Sequence, residues 1–387
     1  MLGLVLGGGG SKGAFQVGAY RALLECSYQF DGVVGASIGA LNAAMIAQED
    51  FEKLEEIWRT IDLVKILGNE DLAEYIQHEL LENDSKSKMD ELFALIKWGQ
   101  IDAEPAFRFI ENAIDEEKLR ASKIDFGLVT CNLTDRKIDK LFKADIPKGR
   151  IAEYLMASSY LPVFKFERID GKFFADGGFY DNLPFQMLLD RGYDEIVTIK
   201  IGGVGRERPI PYDEAHFIEI KNRQDTGYTM NFTRENAIEL ISRGYLDTMV
   251  QLGRLFGNEY SFSGKRKDLV QIFETITEEK IAQILKLLGI ETTNDRASFY
   301  MYGLPELAKL LNLNHPSEEE LALAVTERAM KTCGYSLTKT YDPNDVIGEL
   351  KDKRVFPKSE PEGAIERIKN FITKETVLDE AIEILFS

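Results

Sequence analysis

The sequence predicts a three-layer α/β domain with a mainly parallel central sheet, followed by a C-terminal helical domain. Short apolar runs alternate with helix-patterned segments from residue 2 onward, an order that is typical of a parallel sheet covered by helices. After residue 257 the sequence becomes charged and helix-patterned. A chain of 387 residues is long enough for two cores, so we expect one domain over residues 1–257 and another over residues 258–387.

The alternation is clearest at the N-terminus. Leu2–Leu6 is an apolar run that ends at a glycine, which predicts a buried strand. Gly13–Leu24 carries small and apolar residues at helical spacing. An Asp-Gly turn then leads into Val33–Ala36, a second strand-like run, and Leu41–Ala47 again has helical spacing. This order of strand, helix, strand and helix predicts neighbouring parallel strands.

The middle of the chain predicts a helical insert and then further strands. Residues 50–120 carry apolar residues at three- and four-residue spacing, which favours helices. Strand-like runs then return, at Lys123–Cys131, Gly171–Asp176, Tyr193–Ile201 and His216–Lys221. In the C-terminal part, Ser317 is followed three residues later by Glu320, which predicts a capping box at a helix start.

Composition narrows the partners that the protein can have. Acidic residues number 65 against 47 basic ones, a net charge of −18, which repels nucleic acid and anionic membranes at long range. A lipid would therefore have to meet a local apolar surface. The cysteines (Cys26, Cys131 and Cys333) are far apart, which argues against a disulfide framework or a structural zinc site. We see no leader sequence and no transmembrane stretch, and we expect a cytoplasmic protein.

A glycine-rich loop separates the first predicted strand from the first predicted helix. Gly8–Gly13 matches the pattern G-x-G-x-x-G of dinucleotide sites. Such a site also needs an acidic residue at the end of the second strand, whereas Asp31 precedes that strand. A Walker-type loop is disfavoured because Gly13 follows Lys12 where Ser or Thr is needed. A nucleotide- or phosphate-binding module therefore remains as the alternative function.

The second strand ends in Gly35-Ala36-Ser37-Ile38-Gly39. This is the pattern G-x-S-x-G between a strand and a helix, the context of a nucleophile elbow. In such an elbow the serine hydroxyl is exposed at a helix N-terminus, where the dipole favours developing negative charge. The competing interpretation is that the pattern recurs by chance in a glycine-rich chain.

A base for Ser37 is harder to find. A serine hydrolase ordinarily uses histidine, but His78, His216 and His315 lack a context that would present them to a serine, and we expect surface or packing roles for them. The best carboxylate is Asp176, which an apolar run delivers to a Gly-Gly loop. Asp-Gly-Gly is also an ordinary turn sequence. We expect the nearby Asp181 and Asn182 to serve in turns or caps.

Taken together, these motifs resemble the patatin-like phospholipase family over about Leu2–Lys200, and the resemblance extends to a helix near Asp247. The resemblance implies a Ser37–Asp176 catalytic dyad, an oxyanion hole formed by Gly8, Gly9 and Gly10, and no metal or cofactor. Substrates would be phospholipids, lysophospholipids or related fatty-acyl esters, met as single molecules or at a membrane surface. The resemblance also implies that seven further residues support the catalytic motifs. They are Ser11, Lys12, Gly13, Gly35, Gly39, Gly177 and Gly178.

Three smaller expectations follow. We expect Ser11 to cap the first helix, Lys12 to brace the loop rather than steer an anionic headgroup, and the Ser158-Ser159 segment to pack near the site. An aspartate with a pKa of about 4 is a weak base for serine unless it is desolvated. We therefore expect a cover over the site from residues 63–98, whose apolar side chains are Leu92, Phe93, Leu95, Ile96 and Trp98.

A further alternative is an interaction protein with little turnover, using the acidic C-terminal part as its working surface. The presence of both Ser37 and Asp176 speaks against it.

Overall fold

The structure, a computed structural model, describes residues 1–82, 101–165, 167–291, 295–352 and 374–387. Contacts within this part of the chain define two units, Met1–Met249 and Val250–Ser387. The first unit contains the central sheet, and the second is mainly helical.

Seven described strands of the first unit form one sheet. Their bounds are β1 Leu2–Leu6, β2 Gly32–Ala36, β3 Asp125–Asn132, β4 Lys137–Phe142, β5 Phe174–Asp176, β6 Glu195–Lys200 and β7 His216–Lys221. The order across the sheet is β4-β3-β2-β1-β6-β7, and β5 pairs with β3.

The strands that the apolar runs predicted are mostly parallel. β1 lies parallel to both β2 and β6, β2 to β3, and β6 to β7. β4 and β5 pair antiparallel to β3. The mainly parallel α/β sheet is therefore confirmed. The sequence did not predict β4, since charged residues at 137, 139 and 140 hide the strand pattern of this edge element.

Helices cover the sheet. Those of the first unit are α1 Gly13–Glu25, α2 Ile38–Ala47, α3 Phe51–Arg59, α4 Leu63–Leu67, α5 Glu70–Glu82, α6 Glu104–Ala113, α7 Glu116–Ala121, α8 Ile151–Ser158, α9 Gln186–Leu189 and α10 Arg234–Gln251, which continues two residues into the second unit. The helical character expected for residues 50–120 is confirmed where that stretch is described.

Both faces of β1 are buried, which explains its uninterrupted apolar sequence. Val5 packs in one apolar cluster with Leu183, Phe185 and Leu188, from the chain around α9. Since side chains alternate along a strand, Leu4 points to the opposite face, which α2 covers. Neither side chain has exposed surface. The result is the three-layer arrangement of helix, sheet and helix.

The second unit builds its own apolar core from helices α11 Gln271–Glu274, α12 Glu278–Leu287, α13 Arg296–Ser298, α14 Leu304–Leu310, α15 Glu318–Thr332, α16 Pro343–Asp352 and α17 Lys374–Phe386. Two short strands, β8 Ser261–Phe262 and β9 Thr340–Tyr341, pair in parallel. The capping box predicted at Ser317 and Glu320 is present at the start of α15. No helix among the described residues has both the length and the apolar character needed to cross a bilayer.

Candidate active site

Ser37 lies in a sharp turn between β2 and α2. Its backbone has φ 53° and ψ −129°, a conformation that a non-glycine residue rarely adopts and that is often found at functional sites. The two flanking glycines allow the turn to form. A Cβ on Gly35 would lie 2.3 Å from the carbonyl oxygen of Gly39, and a Cβ on Gly39 would lie 2.3 Å from that of Leu6. The expected strand, turn and helix context of G-x-S-x-G is therefore confirmed.

Ser158, at the end of α8, holds this turn in place. Its side chain is fully buried. The Ser158 Oγ accepts a hydrogen bond of 3.0 Å from the Ser37 backbone N–H and donates one of 2.8 Å to the Val129 carbonyl in β3. The sequence predicted a packing role for this serine. Its hydroxyl also links the Ser37 turn to the sheet, a role that only the folded chain reveals.

Asp176 ends β5 and faces Ser37. Asp176 and Ser37 line the same cavity, and the Gly178 N–H donates to Asp176 Oδ1 at 2.7 Å. Burial raises the pKa of Asp176 from 3.8 to about 6, and the neighbouring Ser37 hydroxyl and Gly178 N–H act in the opposite direction. The carboxyl is thus desolvated, and it lines the same cavity as the serine with which the sequence paired it.

Gly177 and Gly178 form a single 3-10 turn with Phe179 directly after Asp176. The two polar residues that follow differ in surroundings. Asp181 is fully buried and lies 3.6 Å from the Arg208 guanidinium, and burial raises the pKa of its carboxyl. Asn182 contacts the glycine loop instead.

The glycine loop passes beside Ser37. A Cβ on Gly8 would lie 2.6 Å from Asn182 Oδ1 and 3.1 Å from Ser37 Cβ, so a side chain at this position would force its neighbours to shift. The Gly8 N–H donates to the Asn182 carbonyl at 3.3 Å, and Asn182 Nδ2 donates to the Gly8 carbonyl at 3.2 Å. Within the described residues, the amides of Gly9 and Gly10 donate to no other group. Asn182 therefore fixes the loop, a role that its turn-like sequence context did not indicate.

The expected capping role of Ser11 is wrong. Gly10–Lys12 forms a 3-10 turn, and α1 starts after it without a side-chain cap. The Ser11 side chain instead donates to the Tyr228 carbonyl at 3.0 Å. Because the 3-10 turn supplies the entry to α1, the hydroxyl is available for a distant segment. Lys12 is buried with 1% of its surface exposed, which leaves its ammonium away from any surface headgroup, and Gly13 begins α1.

A cavity of about 150 Å³ adjoins Ser37, Asp176 and the glycines at positions 8–10. Most other side chains that line it are apolar. α4 contributes Leu67 and Ile66, α6 contributes Phe109 and Ile110, and further walls come from residues 156–164 and 229–232. An apolar cavity that ends at a serine and a carboxyl can bind an acyl chain and present its ester to both groups.

Part of the covering segment predicted from the sequence borders this cavity, since α4 lies within residues 63–98. The remainder from residue 83, with the five apolar side chains Leu92, Phe93, Leu95, Ile96 and Trp98, lies outside the described residues.

Neither the three histidines nor the three cysteines line this cavity. His78, His216 and His315 are exposed. All three cysteines are free thiols. In the part of the chain that the structure describes, no three His, Cys, Asp or Glu side chains are grouped closely enough to hold a metal ion.

Comparison with known proteins agrees with the resemblance seen in the sequence. Residues 4–189 match the family model described as patatin-like phospholipase. Patatin-like phospholipase domain-containing protein 7 of Rattus norvegicus is 26% identical over 208 residues, which cover 52% of this chain and 14% of that protein. Lysophospholipase NTE1 of Cryptococcus neoformans is 23% identical over 217 residues, which cover 55% of this chain and 12% of that protein.

Among solved structures, VipD from Legionella pneumophila aligns over 99% of this chain and 85% of its own, with 17% identity and a TM-score of 0.41. The chain spans only a small part of the length of the two relatives above. Residues 4–189 are therefore a patatin-like phospholipase domain, as the resemblance in the sequence indicated.

Proposed function

We propose that the protein is a serine acyl-ester hydrolase that acts on phospholipids, lysophospholipids or related fatty-acyl esters. The observation that carries this proposal is that Ser37, held in a strained turn, and the buried carboxyl of Asp176 line the same apolar cavity. The family membership of residues 4–189 and the lysophospholipase name of a relative support the same reaction class.

In the proposed acylation step, Ser37 Oγ attacks the ester carbonyl carbon while its proton passes to Asp176. A carboxyl with a pKa of about 6 accepts this proton better than an ordinary aspartate and is still ionised at neutral pH. The amides of Gly9 and Gly10 would donate to the oxygen as it becomes an anion, and each such donor typically contributes about 10²–10³ in rate. The Gly8 amide, which was also expected in the oxyanion hole, already donates to the Asn182 carbonyl. The protonated Asp176 then gives its proton to the departing alcohol.

In the proposed deacylation step, the same groups act on water. Asp176 takes a proton from a water molecule that attacks the acyl-Ser37 ester, and the glycine loop again stabilises the tetrahedral anion. The proton returns to Ser37 Oγ as the fatty acid leaves. No step of this sequence uses a metal or a cofactor, so full activity is expected in the presence of a chelator.

The shape and polarity of the site favour this function over a phosphate-binding loop. Phosphate sites present several donors to a doubly charged group, whereas the cavity beside this loop is lined mostly by apolar side chains. Thermal stabilisation by a nucleotide without any ester hydrolysis would instead support a nucleotide-binding module.

The test combines turnover with covalent labelling. Purified protein should hydrolyse p-nitrophenyl butyrate and p-nitrophenyl dodecanoate, and a fluorophosphonate should label it. Ser37→Ala should abolish both. Ser159→Ala is the matched control, because Ser159 lines the same cavity without lying in the strained turn, and it should still be labelled. Labelling that persists in Ser37→Ala would show that Ser37 is not the nucleophile.

A further inference from the structure

The glycine loop rests on a chain segment that lies outside the region matched by the family model. The Ser11 N–H donates to the Thr229 carbonyl at 2.8 Å, and the Ser11 side chain donates to the Tyr228 carbonyl. Gly10 is so close to this segment that a Cβ on it would lie 2.3 Å from the Thr229 oxygen. Met230, one residue further on, lines the cavity. The position of the loop therefore depends on the position of residues 228–230.

Two buried charged side chains of α10 hold residues 223–225, which precede that segment. Asp247 accepts hydrogen bonds from the Arg223 N–H at 3.0 Å and from Arg223 Nε at 2.8 Å. The Arg243 guanidinium donates to the carbonyls of Gln224 and Asp225, at 3.1 and 2.7 Å. Asp247 and Arg243 are only 5% and 7% exposed. Charges are costly to bury unless they are paired, so each has a strong preference for this one arrangement.

α10 also contacts α1, the helix that follows the glycine loop. The backbones meet without intervening side chains at two glycines. A Cβ on Gly18 would lie 1.8 Å from the Ile241 carbonyl oxygen, and a Cβ on Gly244 would lie 2.0 Å from that of Phe15. Such close approach leaves little freedom for α1 to slide along α10.

We infer that α10 is the support that fixes the glycine loop against Ser37, with Asp247 and Arg243 as positioning residues for the proposed hydrolysis. The helix holds the segment that the loop rests on and the helix that follows the loop. This inference rests on the proposed function, because it assigns the support of the proposed oxyanion hole. It also implies that residues beyond 189 are needed for a complete site.

A support of this kind acts on the transition state more than on substrate binding. The acyl chain contacts the apolar cavity in both the ground state and the transition state. The hydrogen bonds from the loop amides, in contrast, become strong only as the oxyanion forms. Loosening the loop should therefore lower kcat and leave KM almost unchanged.

The test is Asp247→Asn, which keeps the size of the side chain and removes its charge. We expect kcat for p-nitrophenyl butyrate to fall about ten- to a hundred-fold, since small misplacements of catalytic groups have effects of this size. KM should stay within about two-fold. The rate of fluorophosphonate labelling at Ser37 should fall in parallel with kcat.

Glu327→Gln is the matched control for a loss of stability. Glu327 is also 5% exposed, and its carboxylate accepts N–H groups from Asn258, Glu259 and Tyr260 in the second unit. We expect this variant to unfold at a lower temperature and to keep the wild-type kcat. The two variants together separate a general loss of stability from misplacement of the loop.

A kcat of Asp247→Asn within two-fold of wild type, measured well below its unfolding temperature, would overturn the inference. If Asp247→Asn does not yield folded protein, Arg243→Lys is measured by the same criteria, since lysine keeps the charge but cannot bond both carbonyls in the same way. A second readout is independent of turnover. Hydrogen exchange of residues 7–12, followed by mass spectrometry, should accelerate in the α10 variants and not in Glu327→Gln.

The hydrogen-exchange readout also separates the two proposals. A wild-type protein with no turnover and no labelling would refute the proposed function, and unchanged exchange in the α10 variants would refute the support. An active wild type with unaffected α10 variants would refute the support alone.

Discussion

Asp176→Asn separates the proposed catalytic role of this buried carboxyl from its effect on stability. The amide cannot accept the serine proton, so turnover should fall by at least the factor of about 10²–10⁴ that a general base contributes. The same change removes a charge from a desolvated position. We therefore expect an inactive variant that is more stable than the wild type at alkaline pH.

The sign follows from the direction of the pKa shift. Burial raises the pKa of Asp176 from 3.8 to about 6, so between these values the folded protein binds more protons than the unfolded chain. The stability of the wild type then decreases as the pH rises through this window. The loss of stability caused by the buried charge is absent below pH 3.8 and complete above about pH 6. Asparagine is neutral throughout, so its advantage should appear only as the pH rises.

The size of the effect follows from the same two values. A difference of about two pKa units corresponds to about 3 kcal/mol, as an order of magnitude. At 2–4 °C per kcal/mol for a domain of this size, the upper limit is a gain of about 6–12 °C in Tm at pH 8. The asparagine can keep the neighbouring contacts, because its Oδ1 can still accept from the Gly178 N–H and its Nδ2 can donate to Ser37 Oγ.

The assay is thermal unfolding, followed by circular dichroism between pH 4 and pH 8, for wild type, Asp176→Asn and Ser37→Ala. Ser37→Ala is the matched control, because it should be equally inactive while it retains the buried carboxyl and hence the pH-dependent penalty. A Tm of Asp176→Asn below that of wild type at pH 8 would contradict this reasoning. So would a difference from wild type that is the same at pH 4 and pH 8.

Four further predictions concern the same site. The pH profile of kcat/KM should show an acid limb near pH 6, with activity about ten-fold below the plateau at pH 5, because Asp176 must be ionised to act as a base. Alanine in place of each of the three exposed histidines should leave kcat within a few-fold and leave that limb in place, and loss of the limb in any of them would assign the base to a histidine. Ser158→Ala should lower kcat about ten-fold and lower Tm, both measurable on one preparation, because it leaves the buried Ser37 N–H without its acceptor. Ala106→Phe, in the cavity wall, should reduce turnover of p-nitrophenyl dodecanoate far more than that of p-nitrophenyl acetate, and equal effects on both esters would place the acyl chain elsewhere.

Local sequence determined the elements that carry the site. Three elements depend only on residues close together in the chain: the strand at Leu2–Leu6, the helix after Gly13 and the G-x-S-x-G turn. Their local structure can therefore be derived from propensity and steric limits alone. The strained turn at Ser37 belongs to this group, because the glycines that permit it, Gly35 and Gly39, lie two residues away on either side. The capping box at Ser317 is also local, because its partner Glu320 lies three residues further on.

Tertiary structure decided how those elements are held and how the buried groups titrate. Ser11 does not cap α1, and its hydroxyl instead donates to the carbonyl of Tyr228, more than two hundred residues away. Asn182 and Ser158 fix the glycine loop and the Ser37 turn through partners that lie far from them in sequence. The raised pKa of Asp176 comes mainly from burial. Burial and long-range hydrogen bonds depend on how segments distant in sequence pack together, and no local pattern of residues encodes that packing.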